Sequence, residues 1–185
     1  KILFDTLKSK GINILMSKTG HSLIKEMINS ENADIAGEMS GHIFYKYQYY
    51  GYDDAIFASL KIVNLLNQSD LKLSEITKPY LKSSSTPEIK LHCAEKDKFQ
   101  ILSNLIDKIR VTYINQVEII DIDGVRVESK DFWFLIRASN TQNCLVFRLE
   151  HFDSTNFKIE INNLIELLQN YKLDISELTG FNNTI

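Results

Sequence analysis

Both prolines of this chain, Pro79 and Pro87, fall inside one polar stretch that ends Ser83-Ser84-Ser85-Thr86-Pro87. Proline fixes φ and lacks an amide donor, so neither a long helix nor a central strand runs through such a segment. The chain is therefore predicted to divide there, with a first domain over 1–71, a linker over 72–87 and a second domain over 88–185. A length of 185 residues suits one large core or two small ones, and the break selects two.

The two sides follow different rhythms. Before the break, Ile2, Leu3 and Leu7 mark an amphipathic helix that stops at Gly11, a natural C-terminal cap. Residues 12–16 read as a short buried strand. Leu23, Ile24, Met27 and Ile28 have helical spacing. Residues 33–36 lead into a turn at Gly37, and Ile43, Phe44 and Tyr45 resume an extended pattern. Asp53 and Asp54 open a helix whose inward face is expected to carry Ile56, Phe57, Leu60, Val63 and Leu66, with the acidic pair at the positive end of its dipole. Helices alternating with short buried strands indicate an α/β layered domain.

After the break, residues 88–93 read as a strand. Residues 98–109 read as a helix with Phe99, Leu102, Leu105, Ile106 and Ile109 inward. Strands follow over 117–122, 132–136 and 144–149. Asp123-Gly124 is a tight-turn dipeptide with Val125-Arg126-Val127 as a partner strand. An amphipathic helix over 157–168 closes an α+β domain.

Charge and composition exclude several classes. With 21 basic against 24 acidic residues the formal charge is -3, whereas general nucleic-acid or membrane-surface binders carry a basic field. No apolar run approaches the roughly 20 residues of a membrane span, and Lys1-Ile2-Leu3-Phe4-Asp5 lacks the apolar core of a secretory signal. Cys93 and Cys144 read as inert buried thiols, with a disulfide or redox couple as the alternative, and a cytoplasmic setting is expected. Lys1 in place of an initiator methionine, with a helix already under way, is the mark expected of a piece of a longer polypeptide.

Two polar clusters carry chemistry. Gly37-Glu38-Met39-Ser40-Gly41-His42 places a carboxylate, a hydroxyl and an imidazole in a glycine-bracketed segment. In an extended conformation Glu38, Ser40 and His42 project to one side. A carboxylate accepts from vicinal hydroxyls, a serine donates or accepts, and a histidine shuttles a proton near neutral pH, which together suit a polyol. The plainer alternative is a turn whose polar residues cap the next element. A metal site from Glu38, His42 and His21 has no supporting His-x-x-x-His or cysteine pattern. The second cluster is Arg137-Ala138-Ser139-Asn140-Thr141, between two apolar strands and with no Asp or Glu from Phe132 to Leu149. An arginine fork holds two phosphate oxygens, and Ser139, Asn140, Thr141 and loop amides can donate to a third. The alternative is an ordinary polar hairpin loop. His21, following Lys18-Thr19-Gly20, can approach the first cluster. Trp133 and Phe132 read as core rather than a base-stacking platform, Tyr47, Tyr49, Tyr50 and Tyr52 as packing under a loop with lining of a sugar site as the alternative, and His92 and His151 are given no role.

At these residues the chain resembles the C-terminal half of an α-D-phosphohexomutase of the phosphomannomutase/phosphoglucomutase branch. The matching stretches are Lys18-Thr-Gly-His-Ser-Leu-Ile-Lys25, Gly37-Glu-Met-Ser-Gly-His42, Tyr50-Gly-Tyr-Asp-Asp54, Ser85-Thr-Pro-Glu-Ile89, Asp123-Gly-Val-Arg-Val127 and Arg137-Ala-Ser-Asn-Thr141. The resemblance implies most of a three-layer α/β third domain followed by a TATA-box-binding-protein-like α+β fourth domain. It implies that Glu38, Ser40 and Lys18 bind the sugar, that His42 and His21 are catalytic, and that Arg137, Ser139, Asn140 and Thr141 bind phosphate. It further implies a parent enzyme interconverting hexose 1-phosphate and hexose 6-phosphate through a hexose 1,6-bisphosphate, with domains 1 and 2 as partners and with Mg²⁺ beside a phosphoserine. Neither the Thr-Ala-Ser-His-Asn-Pro phosphoserine loop nor the Asp-Gly-Asp-x-Asp-Arg metal loop occurs here. The expectation is thus a recognition fragment that binds no cofactor itself and is inactive alone. The alternative is a stand-alone phosphosugar-binding or protein-interaction module, and no nucleic-acid or membrane partner is expected under either.

Overall fold

The computed structural model describes residues 1–81, 83–114 and 117–185; Lys82, inside the expected linker, lies outside the described residues. The chain divides into two compact units, Lys1–Leu81 and Lys82–Ile185. Among the described residues no helix is long and apolar enough to cross a membrane.

In the first unit, α1 (Ile2–Ser9) ends as expected. Gly11 takes φ +72, and the Ile12 amide donates to the Leu7 carbonyl at 3.1 Å, satisfying an end carbonyl. Next come α2 (His21–Ser30), β1 (Ile35–Gly37), β2 (Ile43–Tyr45), β3 (Tyr52–Asp53), α3 (Ala55–Asn67) and a short α4 (Leu73–Thr77). The three strands form one antiparallel sheet in chain order, with Gly37 opposite Ile43 and Phe44 opposite Asp53. Ile24 and Ile28 of α2 bury against Phe44, with Ala36 beside them. Two expectations fail here. Residues 12–16 form no strand, because no ladder partner reaches them among the described residues and Ile12 and Leu15 stay exposed. The apolar face of α3 is not buried either: Ile56 is 77% exposed, Leu60 62% and Val63 54%. The helix still forms where predicted, because Asp54 accepts from the Phe57 amide at 2.9 Å as N-cap.

Residues 72–87 carry structure of their own. Beyond α4 and a 3₁₀ turn at Lys78–Tyr80, Ser84–Ser85 forms β4, and Thr86 exchanges hydrogen bonds with Leu149 through its amide (2.9 Å) and its hydroxyl (3.0 Å). The polar residues at the end of the expected linker thus complete a sheet edge.

The second unit continues with β5 (Ile89–His92), α5 (Lys98–Thr112), β6 (Glu118–Ile120), β7 (Val125–Glu128), β8 (Phe132–Ala138), β9 (Cys144–His151), α6 (Ser154–Leu168) and α7 (Ser176–Asn182). The sheet is antiparallel in the order β4-β9-β8-β7-β6, with β5 also pairing β9. Alternation sends Val125, Val127, Phe134, Ile136, Leu145, Phe147 and Leu149 to one face. That face meets Ile101, Leu102, Leu105 and Ile109 of α5 and Phe157, Ile161, Leu164 and Leu168 of α6. The α+β expectation holds. Phe99 is a correction: it is 66% exposed, while Lys98 and Ile101 face inward on the stripe at 98, 101, 102, 105 and 109. Helix α7, which periodicity did not signal, buries Leu178 completely, and its Glu177 accepts from the Lys90 amide at 3.0 Å on β5.

Candidate functional site

The first cluster is a hairpin loop and not an extended run. Between β1 and β2 the Glu38 amide donates to the His42 carbonyl (2.9 Å) and the Gly41 amide to the Glu38 carbonyl (3.0 Å), with Gly41 at φ +94. Alternation therefore does not align Glu38, Ser40 and His42; the turn does the gathering. Glu38 Oε1 accepts from the Gly20 amide at 3.1 Å, just ahead of α2, where a carboxylate also meets the positive end of the helix dipole. Its Oε2 accepts from the Ser40 hydroxyl at 3.2 Å. Lys18 and Ser40 are exposed and Glu38 is half-buried.

The two histidines converge on a residue the sequence had assigned only to helix initiation. Asp53 Oδ2 lies 2.6 Å from His42 Nδ1 and 3.2 Å from His21 Nε2, while its Oδ1 accepts from the Ile43 amide at 3.2 Å. The rings meet edge-on at 5.0 Å, and His21 also meets Phe44 edge-on at 5.1 Å. Three elements set this arrangement: His21 opens α2, His42 precedes β2, and Asp53 sits on β3 opposite Phe44. Asp53 also lies within a stretch that carried the family resemblance. Tyr49 stacks on Phe57 at 3.8 Å and donates to Asp54 at 2.7 Å, as expected of packing, but Tyr47, Tyr50 and Tyr52 are exposed. Two hydrogen bonds, from the Phe57 amide first and the Tyr49 hydroxyl second, hold the Asp54 carboxyl below its ordinary range; the Asp54 bond also raises the Tyr49 phenol.

In the second unit, Arg137 belongs to β8, opposite Val146, and is not a loop residue. By alternation it shares the sheet face away from the helices with Trp133 and Leu135, as does Arg148 from β9. Arg126 stacks on Trp133 at 3.9 Å and pairs with Glu128 at 2.5 Å, and Glu150 accepts from Trp133 Nε1 at 2.7 Å and from the Ser83 hydroxyl. Neither Arg137 nor Arg148 makes an ion pair among the described residues, and Arg148 Nε is buried without a hydrogen-bond partner.

The loop beyond Arg137 is held from within. The Ser139 hydroxyl accepts from the Gln142 amide at 3.1 Å, and the Ser139 amide donates to the Cys144 carbonyl at 3.1 Å. Lys98, buried at the start of α5, donates to the Ser139 carbonyl (3.0 Å), the Gln142 carbonyl (3.2 Å) and Glu95 (2.9 Å). Sequence reading missed this lysine, since no local pattern announces a contact 41 residues away. Ser139 is buried, whereas Asn140 and Thr141 are exposed. Gly124 (φ +76) presses on the same strand: a Cβ there would lie 2.2 Å from the Ile136 carbonyl and 2.6 Å from Arg137 Cα. Two hollows of this unit, about 330 and 400 Å³, both border Phe132 and Glu160 and include no residue of 137–141. Cys93 and Cys144 are free, and burial pushes the Cys93 thiol up, away from reactivity.

Residues 1–83 match the family model described as phosphoglucomutase/phosphomannomutase, alpha/beta/alpha domain III, and residues 88–158 match the C-terminal domain of the same family. The chain belongs to the phosphoglucomutase/phosphomannomutase family. It is 40% identical to a phosphoglucomutase of Neisseria meningitidis over 151 residues, which is 81% of this chain and 32% of that protein. It is 39% identical to a phosphomannomutase/phosphoglucomutase of Pseudomonas aeruginosa over 148 residues, covering 80% of the chain and 31% of that protein. A solved phosphoglucomutase/phosphomannomutase family protein from Burkholderia thailandensis matches with a TM-score of 0.79 at 30% identity, over 91% of this chain and 35% of that one. The chain thus spans about a third of the length of the curated relatives it matches.

The resemblance implies Mg²⁺ in the parent enzyme and none held by this chain. The donors gathered here are two imidazoles and one carboxylate, and Mg²⁺ instead takes near-octahedral oxygen ligands. These residues do not fit that ion.

Proposed function

We propose that this chain is the substrate-recognition part of a hexose-phosphate mutase that interconverts hexose 1-phosphate and hexose 6-phosphate. In the first unit, Glu38, Ser40 and Lys18 are assigned to sugar hydroxyls, with His21 and His42 as the proton-handling groups. In the second unit, Arg137, Ser139, Asn140 and Thr141 are assigned to a phosphate. Further parts of the reading come from the family resemblance: a phosphoserine donor, a 1,6-bisphosphate intermediate, Mg²⁺ in the whole enzyme, a cytoplasmic setting, and the TATA-box-binding-protein-like description of the second unit. The observation that carries the reading is the pairing of chemistries: a carboxylate–hydroxyl–imidazole hairpin in one unit and, in the other, an arginine with no ion pair among the described residues beside a pre-folded polar loop.

Each group has a defined task. The Glu38 carboxylate, fixed by the Gly20 amide, keeps lone pairs for sugar hydroxyls. Asp53 orients both imidazoles, and each imidazole can take or return a proton at a hydroxyl placed against it. The Arg137 guanidinium binds a phosphate with charge-assisted hydrogen bonds. Phosphoryl transfer rests on positioning and charge neutralisation, and these groups supply the positioning. No phosphoserine loop is present in the sequence, so this chain alone has no group to transfer.

The test is a chimera in which this chain replaces the corresponding third of the Neisseria meningitidis phosphoglucomutase. Interconversion of glucose 1-phosphate and glucose 6-phosphate should survive in the chimera and collapse on His42→Ala or Arg137→Ala. The chain alone, given hexose 1-phosphate and a bisphosphate activator, should give no turnover. A folded but inactive chimera, or turnover by the chain alone, refutes the proposal.

A further inference from the structure

We infer that His21, His42 and Asp53, on their geometry and not on the mutase reading, form a binding site for a divalent ion of the zinc class. One donor atom from each residue lies within 4.8 Å of the other two. The side chains of His21 and His42 are 46% exposed and that of Asp53 18%, so an ion has access.

Geometry favours capture. Tetrahedral zinc with N and O donors at about 2.0–2.2 Å sets donors roughly 3.3 Å apart. Asp53 Oδ2 and His21 Nε2, at 3.2 Å, already stand at that separation. His42 Nδ1, at 2.6 Å from the same oxygen, has to open by less than about 1 Å. The contact at 2.6 Å is a hydrogen bond, with a proton between imidazole and carboxylate. Metal entry takes the Nδ1 lone pair and releases that proton to solvent, which balances the exchange. Water fills the fourth position.

The donors are also preset. Asp53 Oδ1 is held by the Ile43 amide, an outer-shell bond that aims Oδ2 outward. His21 is fixed at the start of α2 by the Gly20–Glu38 hydrogen bond and by its edge contact with Phe44. Each ligand therefore sits on an element end supported by packing, as a precise site requires. Two imidazoles and one carboxylate select Zn²⁺, Co²⁺ or Ni²⁺ over the oxygen-seeking Mg²⁺ and Ca²⁺.

The experiment titrates the metal-free chain with Zn²⁺ by calorimetry and with Co²⁺ by visible absorption, in a Cys93→Ser/Cys144→Ser background that removes the thiols. One equivalent should bind, with the intense d–d bands of low-coordinate Co²⁺. Zn²⁺ should move the ¹⁵N resonances of His21 Nε2 and His42 Nδ1 while leaving those of His92 and His151 in place. His42→Ala should weaken Zn²⁺ by about tenfold or more, and His92→Ala should not. Failure to bind, unmoved His21 and His42 resonances, or unchanged affinity in His42→Ala overturns the site. The resonance readout uses the unmodified pair of histidines, so it decides the matter even where a variant misfolds.

Discussion

Replacing Gly124 by alanine tests whether the tight turn before β7 holds the strand that carries Arg137 in place. Two costs add. Gly124 sits at φ +76, where an L-residue costs about 1–2 kcal/mol. Its added Cβ would lie 2.2 Å from the Ile136 carbonyl oxygen and 2.7 Å from Arg137 Cβ, against an ordinary contact of 3.4 Å or more. Backbone has to move by over 1 Å to relieve that. β8 is laddered to β7 through Ile136–Val125 and to β9 through Ile136–Phe147, so it does not yield alone. Overpacking of this kind adds about 1–3 kcal/mol. The total, about 2–5 kcal/mol, is a large share of the roughly 5–15 kcal/mol of a typical domain. Urea unfolding followed by Trp133, the single tryptophan, reports on this unit. Gly124→Asn, which tolerates the left-handed region, should recover only the conformational part. Gly180→Ala, inside α7 with open space around it, should be neutral or stabilising by about 0.5–1 kcal/mol. A Gly124→Ala midpoint within error of wild type, or complete rescue by Asn, refutes the argument.

Other perturbations have defined outcomes. Lys98→Met strips the donors from the Ser139 and Gln142 carbonyls and should cost about 2–4 kcal/mol by chemical denaturation, with raised hydrogen exchange confined to 139–143. Arg137→Ala in the chimera should lose about 2–4 kcal/mol of substrate or transition-state binding, read as kcat/KM, with the fold intact by circular dichroism. Asp54, Asp153 and Asp174 are held below the ordinary carboxylate range, chiefly by the amides of Phe57, Thr155 and Ser176 respectively. Groups depressed by folding stabilise above their unfolded pKa of about 3.9, and that contribution disappears as pH falls through the lower folded values. Thermal midpoints should therefore drop below about pH 4, and Asp153→Asn should flatten the drop.

What the sequence alone determined was mostly local. Helix starts and stops at Asp54 and Gly11, the Asp123-Gly124 turn and the helical stripe of α6 depend on neighbours a few residues apart, and such signals survive in a linear reading. The motif stretches also marked both polar clusters, because their residue types and order are themselves the signal. Only the tertiary structure decided which side chains meet. Asp53 became the hub of two histidines because β3 pairs with β2, and Lys98 came to hold a loop 41 residues away because α5 packs on the sheet. The same logic undid the strand at 12–16 and the buried face of α3: apolar pattern states a capacity for burial, and only a partner surface fulfils it.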